Sequence, residues 1–260
     1  MYFEGVASKV QQYLMTLAAL MLFSSTVSAC ELKVRIQPFA PLAVVDEKGN
    51  WSGMDIEFIR ALLDTAGCSY QFVDVTFAMG INLMKTGQVD LMLNLSQTAQ
   101  RESFMHFVGP YRREVFKIVS RKNQMKPISD WRALEQLKAT LIIQRGAFLG
   151  NRLKATLEKN SVLKQRMVEL ADNKTRIELL NQGKVDGFFA EGTYLIEQFA
   201  NNPDFSDFQI HPLVIHSAPV YYGFSKVGMS KEAMNKIRRA FGELAKTKRL
   251  QQIEAKYATY

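Results

Sequence analysis

Residues 32–36 alternate polar and apolar side chains and then meet Pro38 and Pro41, a pattern that predicts a short strand closing on a rigid loop. Lys48-Gly49-Asn50 is a turn signal. From residue 55 to 66 the period lengthens: Ile56, Ile59, Leu62, Leu63 and Ala66 fall on one helical face, with Asp55 as a candidate cap and Gly67 as the stop. A strand at 70–75, a helix at 77–86 and an apolar strand at 89–93 follow. Strand-helix-strand-helix-strand in so short a span predicts a parallel, helix-covered sheet.

The pattern restarts after Pro110. It predicts strands at 115–120, 139–143, 168–170 and 185–189, with helices at 130–137, 149–158 and 173–182 between them. A helix at 194–199, a strand at 221–225 and two amphipathic helices over 231–257 complete the reading. No low-complexity linker separates the halves, which are joined by extended segments near Tyr111 and Val220.

One joint occurs twice. Gly87-Gln88-Val89-Asp90 ends a helix and opens a strand, and Gly183-Lys184-Val185-Asp186 does the same in the second half. Glycine suits the left-handed conformation just past a helix end. Two similar α/β units in one chain predict two lobes with a cleft between them.

The chain has 260 residues, enough for two lobes with a core each, and its 47% hydrophobic content is that of a globular protein. A net charge of +8 invites an anionic partner. The basic residues are scattered, however, and the short clusters Arg112-Arg113, Arg238-Arg239 and 246–249 read as solvated surface. No basic stripe interleaved with aromatics argues for nucleic acid. Lys9 precedes an apolar stretch at 13–27 ending in Val27-Ser28-Ala29, which reads as a cleavable export signal over residues 1–29 rather than a membrane span.

The two cysteines, Cys30 and Cys68, each stand two residues before a predicted strand. If those strands are parallel neighbours, the sulfurs share an edge and an exported protein can join them. The alternative is a lipobox ending at Cys30, with that residue acylated; it leaves Cys68 without a role. Two free thiols are the third reading.

No catalytic constellation is present. His106, His211 and His216 lack metal-ligand spacing, and there is no nucleophile elbow, phosphate loop or dinucleotide fingerprint, so no catalytic residue, metal or cofactor is expected. The sequons Asn94-Leu95-Ser96 and Asn173-Lys174-Thr175 need no functional reading. Polar residues do gather at the carboxyl ends of strands, where open α/β sheets bind ligands. Asn94, Ser96, Thr98 and Arg101 follow the first repeated joint, and Glu191 follows the second. An arginine fork suits a carboxylate and a facing glutamate suits an ammonium, which together describe an amino-acid-like zwitterion.

These residues carry a resemblance over most of the chain. Leu32-Lys33-Val34 with Pro38-Phe39-Ala40-Pro41, the segment Gly49 to Glu57, Gly87-Gln88-Val89-Asp90, Ser96 to Arg101, Phe107-Val108-Gly109-Pro110-Tyr111, Gly183-Lys184-Val185-Asp186 and Tyr222-Gly223-Phe224 follow in an order and spacing similar to bacterial extracellular solute-binding proteins of family three, the polar-amino-acid type serving ABC importers. The resemblance implies a two-lobed periplasmic-binding-protein fold of type II. Each lobe would be a mostly parallel sheet flanked by helices, joined by two hinge strands. Lobe 1 would comprise residues 30–112 and 221–260, and lobe 2 residues 113–220.

Carried over by position, Arg101 would clamp a ligand carboxylate, assisted by Ser96 and backbone groups near Asn94. Phe39 and Trp51 would wall the side-chain subsite, and Glu191 would receive the ammonium. Two departures stand out. The lobe-two loop, which in the family reads Gly-Thr-Thr or Gly-Thr-Ser, is here Gln144-Arg145-Gly146-Ala147-Phe148, so only amides around Gly146 and Ala147 remain to hold an anion. Glu191 is one methylene longer than the family's aspartate. The implied protein is a periplasmic monomer that binds a small carboxylate-bearing solute and delivers it to an ABC permease. The alternatives are a sensing module that feeds a receptor and a dehydratase-like enzyme on the same fold, with Glu191 as its acid-base group.

Overall fold

The structure, a computed structural model, describes residues 30–171 and 175–257. The expected export signal (1–29), Asn173 and Lys174 of the second sequon, and residues 258–260 lie outside the described residues.

The alternation after Cys30 forms β1 (Glu31–Ile36), with Leu32, Val34 and Ile36 turned into the core. A two-residue hairpin, β2 (Val44–Val45) and β3 (Trp51–Ser52), leads into α1 (Met54–Ala66). That helix buries Ile56, Phe58, Ile59, Leu62 and Leu63 on the face its periodicity predicts. It begins after Gly53, so Asp55 lies inside its first turn and is not its cap. β4 (Ser69–Asp74), α2 (Phe77–Lys85) and β5 (Leu91–Leu95) follow.

After the short α3 (Ala99–Glu102) the chain enters β6 (Met105–Arg121), a strand of 17 residues. The second α/β set is α4 (Trp131–Glu135), β7 (Leu141–Gln144), α5 (Gly150–Lys159), α6 (Ser161–Gln165), β8 (Met167–Leu170), α7 (Thr175–Asn181), β9 (Gly187–Glu191) and α8 (Gly192–Asn201). β10 (Phe208–Ile210), β11 (His216–Ser225), α9 (Lys231–Lys246) and α10 (Arg249–Tyr257) finish it, the last two helices packing on α1.

The main sheet runs β4-β1-β5-β11-β6-β9-β7-β8, with β10 added to β6. Both ends are parallel, β4-β1-β5 on one side and β9-β7-β8 on the other. The middle, β5-β11-β6-β9, is antiparallel. Each wing has its own core: Phe77, Met84, Val89, Met92, Leu95 and Met105 in the first, and Ile118, Leu134, Leu141, Leu153, Leu163 and Phe189 among others in the second.

β6 and β11 are shared by both wings and pair along nearly their whole length, with Arg112 opposite Val220. Pro110 was expected to break the pattern, yet β6 passes through it. The reason is a register shift between Val220 and Tyr222, a bulge that removes the need for a ladder N–H at Pro110. β2, β3, β10, α6 and the first half of β11 carry no periodicity long enough to be foreseen.

The repeated joint is structurally the same in both copies. Gly87 and Gly183 have φ of 70° and 67°, in the left-handed region. Asp90 accepts the Lys33 N–H at 2.8 Å, and Asp186 accepts the Thr140 N–H at 2.6 Å, so each aspartate pins the start of the neighbouring parallel strand. Gly228 is packed so closely on Asp90 that a Cβ there would overlap its Oδ1.

β1 and β4 are parallel neighbours with Glu31 opposite Ser69, as the cysteine reading required. Cys30 and Cys68 are disulfide-bonded and neither is free. A sulfur so committed has no thiol to acylate, which removes the lipid-anchor alternative at Cys30. Among the described residues, no helix is long and apolar enough to cross a membrane.

Candidate functional site

Arg101 is aimed by a local device. Thr98 caps α3 by accepting the Arg101 N–H at 3.3 Å, which fixes the backbone of this short helix at the end of β5. The buried guanidinium then donates from Nη1 to the Ser96 carbonyl at 2.9 Å and from Nη2 to the Gly146 carbonyl at 3.1 Å. The two carbonyls belong to different wings of the sheet, so Arg101 lies across the space between them.

That space is a cavity of about 90 Å³, well above what one water requires. Arg101, Ser96, Asn94, Phe39, Ala147 and Glu191 all line it. Gly146 reaches the site through its carbonyl, and its amide is not at a helix start because α5 begins only at Gly150. Trp51 does not line the cavity. It sits in the β2–β3 hairpin with its ring 6.0 Å from that of Phe72, because a two-residue strand pairs it with Val45 at the sheet's margin.

Asn94 is a hub. Its backbone takes φ 56°, a left-handed value that asparagine tolerates, and this turns the amide inward. Nδ2 donates to Asp55 Oδ2 at 2.7 Å, while Oδ1 accepts from Tyr111 Oη at 2.8 Å and from Arg112 Nη2 at 2.7 Å. Arg112 continues through Nη1 to Glu191 Oε1 at 3.2 Å, a pair whose side chains are 2% and 7% exposed. Arg112 is therefore buried, contrary to the expectation of a solvated basic cluster.

Both oxygens of Glu191 are engaged by its own surroundings. Besides Arg112, Oε1 accepts from Thr193 Oγ1 at 3.2 Å, and Oε2 accepts the Tyr194 N–H at 3.2 Å, capping α8.

Burial governs the remaining charges. It pushes Asp55 up to about 6 against the pull of Arg112 and Asn94. It pushes Glu114 up to about 7 against Arg112, although Ser96 Oγ donates to Glu114 Oε1 at 3.2 Å. Burial lowers Arg101 to about 10, partly offset by Glu114, and lowers Arg35 to about 10, offset by Asp55 and Asp74. Burial would lower Arg112 too, but the negative groups around it, Glu191 foremost, outweigh that and raise it.

Aromatic rings close the sides. Phe39 stacks on Tyr194 of α8, and Arg176 of α7 lies 4.3 Å from the Tyr194 centroid. Phe77 lies under both Arg35 and Arg101, 5.6 and 5.7 Å from their guanidinium carbons. Among the described residues, no cluster of three or more His, Cys, Asp or Glu could hold a metal ion.

A model of the bacterial extracellular solute-binding proteins, family 3, matches residues 32–260. The chain belongs to that family. Among its relatives is the arginine-binding extracellular protein ArtP of Bacillus subtilis, 27% identical over 82% of this chain and 80% of ArtP. An amino acid ABC transporter substrate-binding protein of Streptococcus pneumoniae, AbpA, solved bound to L-arginine, superposes with a TM-score of 0.72. It is 23% identical, with 88% of this chain and 94% of that one covered. A histidine kinase sensor domain superposes equally well, with a TM-score of 0.74, 17% identity, and 89% and 96% of the two chains covered. The two-lobed type II fold is thus shared.

Set against the family resemblance, the cavity-lining residues missed by sequence include Arg35, Asp55, Phe77, Arg112, Glu114 and Phe116. A signal for three of them was present. Arg112, Glu114 and Phe116 stand two apart on β6, so strand periodicity puts them on one face, and that face lines the cavity. In this family-3 protein, reading Arg112 and Arg113 as one surface cluster ignored that alternation.

Proposed function

We propose that the protein binds a small carboxylate-bearing solute, of the polar-amino-acid class or a derivative, between its two lobes, and delivers it to an ABC permease from the periplasm. The observation that carries this reading is Arg101: a buried guanidinium lining the cavity, held by two backbone carbonyls, with no carboxylate in ion-pair contact among the described residues. Two carbonyls occupy two of its five N–H groups and leave the fork able to accept a charged oxygen pair. Arginine-binding relatives support the solute class.

In this reading lobe 1 is residues 30–112 and 221–260, lobe 2 is residues 113–220, and the crossing strands β6 and β11 are the hinge. A ligand touching both lobes shifts the open-closed equilibrium by its differential affinity for the closed form. The protein acts as a monomer and as a binder, not a catalyst.

The test is a thermal-shift screen of amino acids and small carboxylates on the mature protein, since a ligand well above its dissociation constant raises the melting temperature. Arg101→Ala is expected to abolish the shift of any hit. A hit whose shift survives Arg101→Ala removes the carboxylate clamp.

A further inference from the structure

We propose that the solute carries no ammonium beside its carboxylate, because Arg112 already fills the cationic place facing Glu191, and that the preferred ligands are small dicarboxylates. This rests on the carboxylate-binding reading above and names its ligand class.

Three observations support it. First, both oxygens of Glu191 are engaged by Arg112, Thr193 and the Tyr194 amide. An incoming ammonium would have to displace a buried ion pair, and separating such a pair strands a charge away from water. Arg112 is held from its other side by two donations to Asn94 Oδ1, so it cannot swing away without breaking the hub.

Second, two of the cavity's three arginines stand outside any ion pair among the described residues. The cavity is lined by Arg35, Arg101 and Arg112 and by Asp55, Glu114 and Glu191, a formally even count. Among the described residues, Arg112–Glu191 is the one contact between these charges, and Glu114 lies 4.0 Å from His216 Nε2. Among the described residues no carboxylate lies within 4 Å of the Arg35 or Arg101 guanidinium. Asp55 and Asp74 offset the charge of Arg35, and Glu114 that of Arg101, only from beyond ion-pair contact, and burial holds Glu114 near 7, so part of its charge is missing at neutral pH.

Third, those two arginines are both placed on Phe77, with guanidinium carbons 5.6 and 5.7 Å from its ring centroid. They supply two separate anchors within the span of one small molecule. Arg35 is steadied by donating Nε to the Val75 carbonyl at 2.9 Å and Nη2 to Gln37 Oε1 at 2.6 Å. A second carboxylate has an anchor here. The rival site, for an ammonium, is Asp55, whose buried Oδ1 has no hydrogen-bond partner among the described residues.

Matched pairs decide the matter by calorimetric titration of the mature protein: L-aspartate against succinate, L-glutamate against glutarate, and L-arginine against its deaminated analogue. The expected result is at least about tenfold tighter binding of the ammonium-free member, with succinate or glutarate the tightest. Arg112→Met, which frees Glu191, should narrow or invert that preference. Tighter binding of the amino acids by the wild-type protein overturns the inference and leaves the carboxylate reading standing. In that event loss of amino-acid binding in Asp55→Asn identifies Asp55 as the ammonium acceptor. No binding by either member of any pair overturns the carboxylate reading itself. The wild-type comparison decides even if Arg112→Met does not fold.

Discussion

Phe39, which lines the cavity, stacks directly on Tyr194 behind it, with ring centroids 4.6 Å apart and planes 3° from parallel. One comes from the loop after β1 and the other from the first turn of α8, so the stack ties together segments about 155 residues apart in sequence. A double-mutant cycle of Phe39→Leu and Tyr194→Leu should give a coupling of about 0.5–1.5 kcal/mol in urea unfolding. Strict additivity of the two single losses would mean that the stack contributes nothing beyond area.

The Arg112–Glu191 pair makes a sharper prediction. Arg112→Met strands the Glu191 carboxylate in a buried site and should cost about 3–5 kcal/mol. The double variant Arg112→Met with Glu191→Gln should recover much of that loss, because no charge is left stranded. The readout is the denaturant midpoint at constant slope. A double variant no more stable than Arg112→Met contradicts the account.

Stability should depend on pH through Asp55 and Glu114. Their native values, about 6 and about 7, lie above the ordinary 3.8 and 4.5. The native state therefore binds more protons than the unfolded chain between about pH 4 and 7, and these two groups make stability fall as pH rises through that window. The combined effect is on the order of a few kcal/mol. Burial lowers His211 and His216, which contributes the opposite slope below about pH 6.5. The difference between wild type and Asp55→Asn isolates the carboxyl. Asp55→Asn should gain relative stability at pH 8 over pH 5, and parallel pH profiles would refute the assignment.

Reducing the disulfide opens a loop running from Cys30 to Cys68, for which chain-entropy arguments give a loss of about 4 kcal/mol. Thermal unfolding with and without reductant measures it. An unchanged melting temperature in a sample shown to be fully reduced would rule out that contribution.

The type II fold was legible because its parts announce themselves locally. Helix α1 shows its buried face at a 3.6-residue period, and the twin Gly-to-Asp joints do the same structural job in both wings. Arg101, Asn94, Ser96, Phe39, Ala147 and Glu191 come together because each stands at or just past the carboxyl end of a strand. What could not be read was who partners whom. Arg112 reaches Glu191 across 79 positions of sequence, and only the β6–β9 register brings them together. Trp51 was read from its place in a motif, but its position depends on a hairpin too short to leave a periodic trace.

The insertion of β11 between β5 and β6 has a consequence for how the protein is made. All strands of the β6–β10 half have been synthesised by residue 210, whereas β5 lacks its antiparallel neighbour until β11 arrives from residue 216 onward. The half that starts the chain is thus the last to be finished. Until then Leu91-Met92-Leu93-Asn94-Leu95 stands as an apolar strand with an open edge, the kind of surface that pairs with any other chain available. A ribosome or translocon that pauses before residue 216 holds a molecule in which β5 and β6 both still show the edge that β11 will cover.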